Sequence, residues 1–149
     1  MFKKIVLFLT ICLSLYLTGC QNKKFYLSDK YYNNGEFIEV TKSDLESKNN
    51  ETYLLYTYND YCNFKIPCDQ IFKEFMKKYK IDCLSISFKD FKNTNYYETI
   101  KYAPSIIIIN NGKVIKYLDA EKDEDLQRYQ DEEKFEEWLS NYIYFSKEG

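Results

Sequence analysis

The chain has 149 residues, of which 45% are hydrophobic and 19% aromatic, and its formal net charge is −2. This length and apolar content fit one folded domain and exclude disorder of the whole chain, while the charge offers no electrostatic basis for binding nucleic acid. Histidine is absent, which excludes Ser-His-Asp or Cys-His catalysis and a histidine-ligated zinc or haem. The chemistry left to the chain depends on thiols, carboxylates, lysines and tyrosines. The thiols are Cys12, Cys20, Cys62, Cys68 and Cys83.

The amino terminus has the pattern of an export signal. Two lysines precede an apolar run from Ile5 to Leu17, which has the length of a signal-peptide core and is short for a membrane span. The run ends in Leu17-Thr18-Gly19-Cys20, which resembles the lipobox of bacterial lipoproteins. The resemblance implies a signal peptide over residues 1–19 and a lipid on Cys20 that anchors the chain to the extracytoplasmic face of the bacterial cell membrane. A non-cleaved anchor with an accidental cysteine is the alternative.

Processing of this kind leaves three thiols, Cys62, Cys68 and Cys83, in a compartment that permits disulfides. Residues 20–35 are polar and end in the turn signal Asn33-Asn34-Gly35. We therefore predict a flexible tether over residues 20–35, followed by one domain over residues 36–145.

The domain alternates strand and helix patterns, in the order β-α-β-α-β-α-β-β-α. Strands are predicted over residues 37–40, 53–58, 83–88, 105–109 and 114–118. The helices are predicted after the capping box Thr41-x-x-Asp44, from Pro67, near residues 96–101, and along Phe135, Trp138, Leu139, Tyr142 and Ile143. The acidic stretch from Glu121 to Glu137 is interpreted as a solvated face. This order predicts an α/β fold in which helices cover both faces of a sheet.

Three segments together resemble the thioredoxin superfamily. A buried strand leads to Cys62, Pro67-Cys68 opens an amphipathic helix, and Ala103-Pro104 precedes a strand and the hairpin Asn110-Asn111-Gly112. The resemblance covers about residues 36–145 and implies a thioredoxin-like α/β fold with a central mixed β-sheet and helices on both faces. It also implies that Cys62 attacks a substrate disulfide, that Cys68 resolves the mixed disulfide, and that Ala103 and a cis Pro104 bind the substrate peptide. An ordinary strand-edge proline is the alternative for Pro104.

The sequence departs from the family pattern at two places. Five residues separate Cys62 from Cys68, where the family has two. Tyr56 stands six residues before Cys62, where the family often buries an acid that assists proton transfer. The helix dipole by itself favours Cys68 as the lower-pKa thiol, so which thiol attacks stays open.

The functional hypothesis is a membrane-tethered thiol–disulfide oxidoreductase that acts on extracytoplasmic protein thiols and disulfides. The alternative is a non-catalytic binding or accessory lipoprotein, in which Cys62 and Cys68 form a structural disulfide or stay unpaired. Cys83 is predicted to be a small buried hydrophobe, with a resolving role as the alternative. A zinc site lacks a fourth soft ligand, so neither metal nor cofactor is predicted. The expected partners are an extracytoplasmic protein substrate or redox partner and, through the lipid on Cys20, the membrane.

Overall fold

The computed structural model describes residues 23–59 and 65–147; of Cys68 it describes the backbone. The strands in these ranges are β1 (Phe37–Glu39), β2 (Thr52–Tyr58), β3 (Cys83–Ser87), β4 (Ser105–Asn110) and β5 (Lys113–Tyr117). They form one sheet in the order β1-β3-β2-β4-β5. The α-helices of the described ranges are α1 (Lys42–Glu46), α2 (Cys68–Tyr79), α3 (Phe88–Phe91), α4 (Asp123–Leu126) and α5 (Glu132–Ser140). Short 3₁₀ helices cover Asp29–Tyr31, Asn95–Glu98 and Gln127–Tyr129.

The sheet is mixed, as predicted, and β2 lies at its centre. Leu55 of β2 pairs with Leu84 of the parallel strand β3 and with Ile107 of the antiparallel strand β4. Because β2 has a neighbour on each side and is covered on both faces, its five central residues are buried. This position explains why β2 reads as a continuous apolar run rather than as an alternating pattern.

Helices cover both faces of the sheet, which also confirms the prediction. On one face, Tyr56 packs edge-on against Phe72 of α2, with ring centroids 5.7 Å apart, and Phe72 in turn lies 4.7 Å from Phe135 of α5. On the other face, the Tyr53 hydroxyl is hydrogen-bonded at 3.1 Å to the hydroxyl of Tyr96, which belongs to the 3₁₀ helix Asn95–Glu98. Even-numbered and odd-numbered residues of β2 therefore contact the helices on opposite faces of the sheet, because successive side chains of a strand point to opposite faces.

Local capping sets the ends of two helices. The predicted capping box is present, since the Thr41 hydroxyl accepts from the Asp44 amide and the Asp44 carboxylate accepts from the Thr41 amide. Ser87 caps α3 by accepting from the Asp90 amide, so Phe88, predicted as the last residue of a strand, is helical. A serine with an aspartate three residues later is an N-cap signal, and here it takes precedence over the alternation that suggested a longer strand.

The amino-terminal segment corrects the predicted start of the domain. Residues 25–35 pack against the domain: Leu27 and Tyr31 are buried at 2% and 3% exposure, and Phe25 forms a parallel bridge to Ile143. The flexible tether predicted over 20–35 is therefore wrong for 25–35. The polar composition of this stretch hid two core residues, because burial depends on partners distant in sequence, such as Tyr53, whose ring centroid lies 6.0 Å from that of Tyr31.

The acidic stretch also departs from the prediction of a solvated face. Tyr129 is completely buried, and Asp125 is only 5% exposed. The Asp125 carboxylate accepts a hydrogen bond from the Asp119 amide at 2.9 Å and pairs with Arg128. A buried carboxylate is held in this way by a backbone donor and a cation.

The membrane-related predictions fall on residues 1–20, which lie outside the described residues. These are the signal peptide, the lipobox Leu17-Thr18-Gly19-Cys20 and the lipid on Cys20. Within 23–59 and 65–147, no helix is long and apolar enough to cross a membrane.

Candidate functional site

The amino end of α2 lies at the edge of the sheet where β2 ends. β2 finishes at Tyr58 and α2 begins at Cys68, directly after Pro67, which occupies the N-cap position. The sequence predicted Pro67 as the first helical residue, and the structure places that position one residue later, at Cys68. The first backbone amides of a helix have no partners within it, so an anion next to Cys68 is favoured by these donors and by the helix dipole. Cys62 lies outside the described residues.

The loop before β4 confirms the predicted cis-proline, because the Ala103–Pro104 peptide bond is cis. The Asn59 amide Nδ2 donates to the Ala103 carbonyl at 3.0 Å, which joins this loop to the residue that follows β2. The Pro104 carbonyl accepts a hydrogen bond from the buried Tyr129 hydroxyl at 2.8 Å. The cis-proline loop is thus held on one side by the end of β2 and on the other by the segment before α5.

Gln130 clamps the backbone just before α2. Its Oε1 accepts from the Ile66 amide, and its Nε2 donates to the Ile66 carbonyl, both at 3.0 Å. Its Nε2 also donates to the Tyr129 carbonyl at 2.9 Å. Two successive residues, Tyr129 and Gln130, therefore hold the cis-proline loop and the approach to Cys68. Sequence reasoning missed both, because they lie in a stretch whose charge suggested only solvation.

We expect Gln130→Ala to loosen the backbone before α2. The substitution removes both hydrogen bonds to Ile66, each with a net contribution of about 1 kcal/mol, so amide exchange at Ile66 should accelerate about fivefold or more. Hydrogen exchange resolved by NMR measures this rate directly. The matched control is Gln127→Ala, since Gln127 is exposed one helical turn earlier. Equal exchange rates at Ile66 in the two variants would show that the clamp does not hold this backbone.

A cavity of about 410 Å³ lies beside the start of α2, on the side of β1 and β3. It is lined by Phe37, Glu39, Tyr56, Tyr58, Asn59, Pro67, Asp69, Lys73 and Ser85. The Glu39 carboxylate accepts hydrogen bonds from the Tyr58 hydroxyl and the Ser85 hydroxyl, both at 2.9 Å. Asp69, in the first turn of α2, pairs with Lys73. The wall of the cavity therefore carries two carboxylates, those of Glu39 and Asp69, among aromatic side chains.

Tyr56 is a buried neutral phenol at the position where the resembled family often has an acid. It is 6% exposed, and its ring contacts Phe37 and Phe72. Burial, and secondarily the charge of Asp69, raises the pKa of the Tyr56 phenol above its usual range. Tyr56 thus keeps its proton at neutral pH and does not act there as a proton acceptor. Glu39 supplies a carboxylate to the same cavity from β1, and no local pattern on β2 could have indicated it.

Cys83 is a core residue, as predicted. It is completely buried in β3, and its thiol contacts the Leu84 carbonyl with a sulfur–oxygen distance of 3.4 Å. Burial raises the pKa of the Cys83 thiol well above its ordinary value. A buried, protonated thiol is a poor nucleophile, so Cys83 acts as a small apolar side chain.

Comparisons with known proteins identify the fold. No protein-family model and no curated protein matches the chain. Among solved structures, a mutant thioredoxin from Halobacterium salinarum is similar at a TM-score of 0.51 and 14% identity, over 74% of this chain and 93% of that one. A thioredoxin from Schistosoma mansoni is similar at a TM-score of 0.50 and 21% identity, over 74% of this chain and 99% of that one. The chain therefore has a thioredoxin-like fold.

Proposed function

We propose that the chain is a membrane-tethered thiol–disulfide oxidoreductase of the thioredoxin-like type, acting on extracytoplasmic protein thiols and disulfides. One observation carries the proposal: Cys68 is the first residue of a twelve-residue helix at the same edge of the sheet as the cis Ala103–Pro104 peptide. Unpaired amides at a helix start favour a thiolate. Cys62, six residues earlier, supplies the second thiol of the pair.

In the proposed reaction, the Cys62 thiolate attacks one sulfur of a substrate disulfide and releases the other as a thiolate, which takes up a proton. The Cys68 thiolate then attacks the Cys62 sulfur of the mixed disulfide and releases the second substrate thiol. Two electrons pass from the Cys62–Cys68 dithiol to the substrate, and the chain is left with a Cys62–Cys68 disulfide. The same steps in reverse oxidise a substrate dithiol. In both directions the backbone of Ala103 and Pro104 binds the substrate strand.

The proposed membrane anchor is a lipid on Cys20, added after cleavage of residues 1–19. It is supported by the apolar run that ends in Leu17-Thr18-Gly19-Cys20. Stable attachment to a bilayer takes more than one acyl chain, as a lipid-modified amino-terminal cysteine provides. The anchor places the domain at the extracytoplasmic face of the bacterial cell membrane.

A second candidate function is a non-catalytic thioredoxin-like binding or accessory lipoprotein with a structural Cys62–Cys68 disulfide. The buried, neutral Tyr56 favours it, because a phenol that keeps its proton gives no assistance to thiol deprotonation. The five residues between Cys62 and Cys68 also favour this second function. A disulfide that closes a loop of this length can form without strain, and an unstrained disulfide is harder to exchange.

The redox state of the cysteine pair separates these two functions. The full chain, solubilised in detergent, is equilibrated with mixtures of reduced and oxidised dithiothreitol, free thiols are alkylated, and peptide mapping assigns the label to each cysteine. For an oxidoreductase we expect labelling of Cys62 and Cys68 to change together and reversibly across the series, while buried Cys83 provides the internal reference. A Cys62–Cys68 bond that resists excess dithiothreitol in the folded chain would instead identify a structural disulfide.

A further inference from the structure

The amino-terminal segment joins the domain very close to the proposed lipid anchor. The Phe25 amide donates to the Tyr142 carbonyl at 2.8 Å, and the Phe25 carbonyl accepts from the Tyr144 amide at 3.0 Å. From Phe25 onward the chain is therefore held by the backbone near its own carboxyl end. Four residues lie between Cys20 and Phe25, so the five residue steps that join them span at most about 18 Å when fully extended. A lipid on Cys20 keeps this end of the domain near the bilayer.

The surface at this end has the composition of a membrane interface. Tyr26 and Tyr144 are stacked with ring centroids 4.3 Å apart, yet they stay 47% and 36% exposed. Lys24 lies 5.7 Å above the Tyr144 ring, and Lys23 is exposed beside it in sequence. We call these four residues the Tyr26–Tyr144 patch. Tyrosines are enriched at the headgroup level of bilayers, and lysines next to them are attracted to anionic phospholipids.

The candidate redox site lies at the opposite end of the sheet. Ser28 pairs with Thr52, the first residue of β2: the Ser28 amide donates to the Thr52 carbonyl at 2.8 Å, and the Ser28 hydroxyl accepts from the Thr52 amide at 2.9 Å. The site begins beyond Tyr58, the last residue of β2. Six residue steps along a strand amount to about 20 Å. The patch therefore belongs to the end of the sheet where β2 starts, and the site to the end where β2 stops.

Helix α2 gives the same orientation independently. Phe145, next to Tyr144, packs against Tyr79, the last residue of α2, with ring centroids 4.7 Å apart. Cys68 is the first residue of that helix, eleven steps away, which corresponds to about 16 Å along the helix axis. A strand and a helix thus both separate the patch from the site.

We infer that the Tyr26–Tyr144 patch rests on the phospholipid headgroups and that the edge carrying Cys68 and Pro104 points away from the bilayer. The inference rests on the proposed lipid anchor at Cys20 and deepens the proposed function. With this orientation the cysteine pair meets soluble proteins, or domains that stand clear of the membrane, and does not reach disulfides at the bilayer surface.

Tryptophan quenching by lipid tests the orientation. The full chain is produced with its lipid, which is verified by the mass of the Cys20 peptide, and is reconstituted in vesicles of phosphatidylcholine and phosphatidylglycerol. Tyr26→Trp probes the patch. Tyr102→Trp is the matched control, because Tyr102 is 51% exposed and lies next to Ala103 at the far edge. Trp138, the one native tryptophan, stays in place, and the quenching of the parent chain is subtracted.

With phospholipid brominated near the carbonyl end of its acyl chains, we expect the emission of the introduced tryptophan to fall about twofold for Tyr26→Trp and to stay nearly unchanged for Tyr102→Trp. Equal quenching of the two, or stronger quenching of Tyr102→Trp, on a chain whose lipid is verified would overturn the orientation and leave the proposed anchor standing. A Cys20 peptide without added lipid mass, with Cys20→Ala bound to vesicles equally well, would refute the anchor, and the orientation with it.

Discussion

Replacing Gly35 by alanine will lower the free energy of unfolding by about 3 kcal/mol, one of the largest effects expected from a single methyl group in this chain. Gly35 has a φ of +78°, in the left-handed region that side chains rarely adopt. A Cβ added there would lie 2.4 Å from the Met76 carbonyl oxygen and 2.7 Å from the Lys77 Cα. Both contacts are with the backbone of α2, which cannot move aside as a flexible side chain can.

The surroundings of Gly35 leave the turn little freedom to relax. One oxygen of the buried Asp82 carboxylate accepts from the amides of Asn34, Gly35 and Glu36, at 3.1, 2.9 and 3.0 Å. Moving the turn to relieve the alanine contact would lengthen these bonds and leave a buried charge with fewer donors. The expected loss therefore combines a conformational cost with a steric one.

Gly112→Ala is the matched control for this prediction. Gly112 has a similar φ of +71°, but the nearest atom to an added Cβ is the Asn49 carbonyl oxygen at 3.3 Å. Gly112→Ala has the same conformational cost as Gly35→Ala but lacks its close contact with backbone atoms. We therefore expect the free energy of unfolding to fall by about 1 kcal/mol. Urea denaturation of the two variants and the parent measures the difference. Losses of equal size would show that the contact with α2 does not contribute.

Cys62→Ser should reduce the turnover of a small disulfide-linked test protein by at least about a thousandfold, because a hydroxyl does not replace a thiolate as the attacking group. Cys68→Ser should instead accumulate a mixed disulfide between Cys62 and the test protein, since the resolving thiol is missing. Dithiothreitol-driven turnover and non-reducing electrophoresis measure the two outcomes. The different behaviour of the two variants assigns the attacking thiol, which helix-dipole reasoning alone would have given to Cys68.

Cys83→Ala is the control for loss of a thiol in itself. Cys83 is fully buried in β3 and has no role in the proposed chemistry, so we expect turnover within about twofold of the parent chain. Wild-type turnover by Cys62→Ser would refute the proposed oxidoreductase and favour the binding lipoprotein. A mixed disulfide accumulating through Cys68 in the Cys62→Ser variant would reverse the assigned roles.

Much of the fold could be predicted from local patterns. The continuous apolar stretch of β2, the capping box at Thr41 and the helical periodicity of α2 each reflect interactions within a few residues, or the burial of a whole element. The cis Pro104 followed from the resemblance of its surrounding segment to a known family. The order of the strands could be predicted from these features. They also place Cys68 and Pro104, which form one half of the candidate site, at the same edge of the sheet.

The features that escaped prediction depend on distant partners. Gln130 contacts Ile66 across 64 positions of sequence, and Glu39 reaches the site cavity from the edge strand β1. Neither residue has a local pattern that distinguishes it from a solvated polar side chain. The geometry of the Cys62–Cys68 pair lies outside the described residues and stays a prediction.

The sequence by itself determined the order of the five strands and of helices α1, α2 and α5, the absence of histidine chemistry and the positions of the thiols. Tertiary structure alone decided that residues 25–35 of the predicted tether belong to the domain and that this segment enters the domain at the end of the sheet opposite the site. The physical reason is that composition reports the average polarity of a segment, whereas burial depends on which distant surface it meets. Tyr31 enters the core beside Tyr53 of β2, with ring centroids 6.0 Å apart, and Phe25 in the same segment is held by the backbone of Tyr142 and Tyr144.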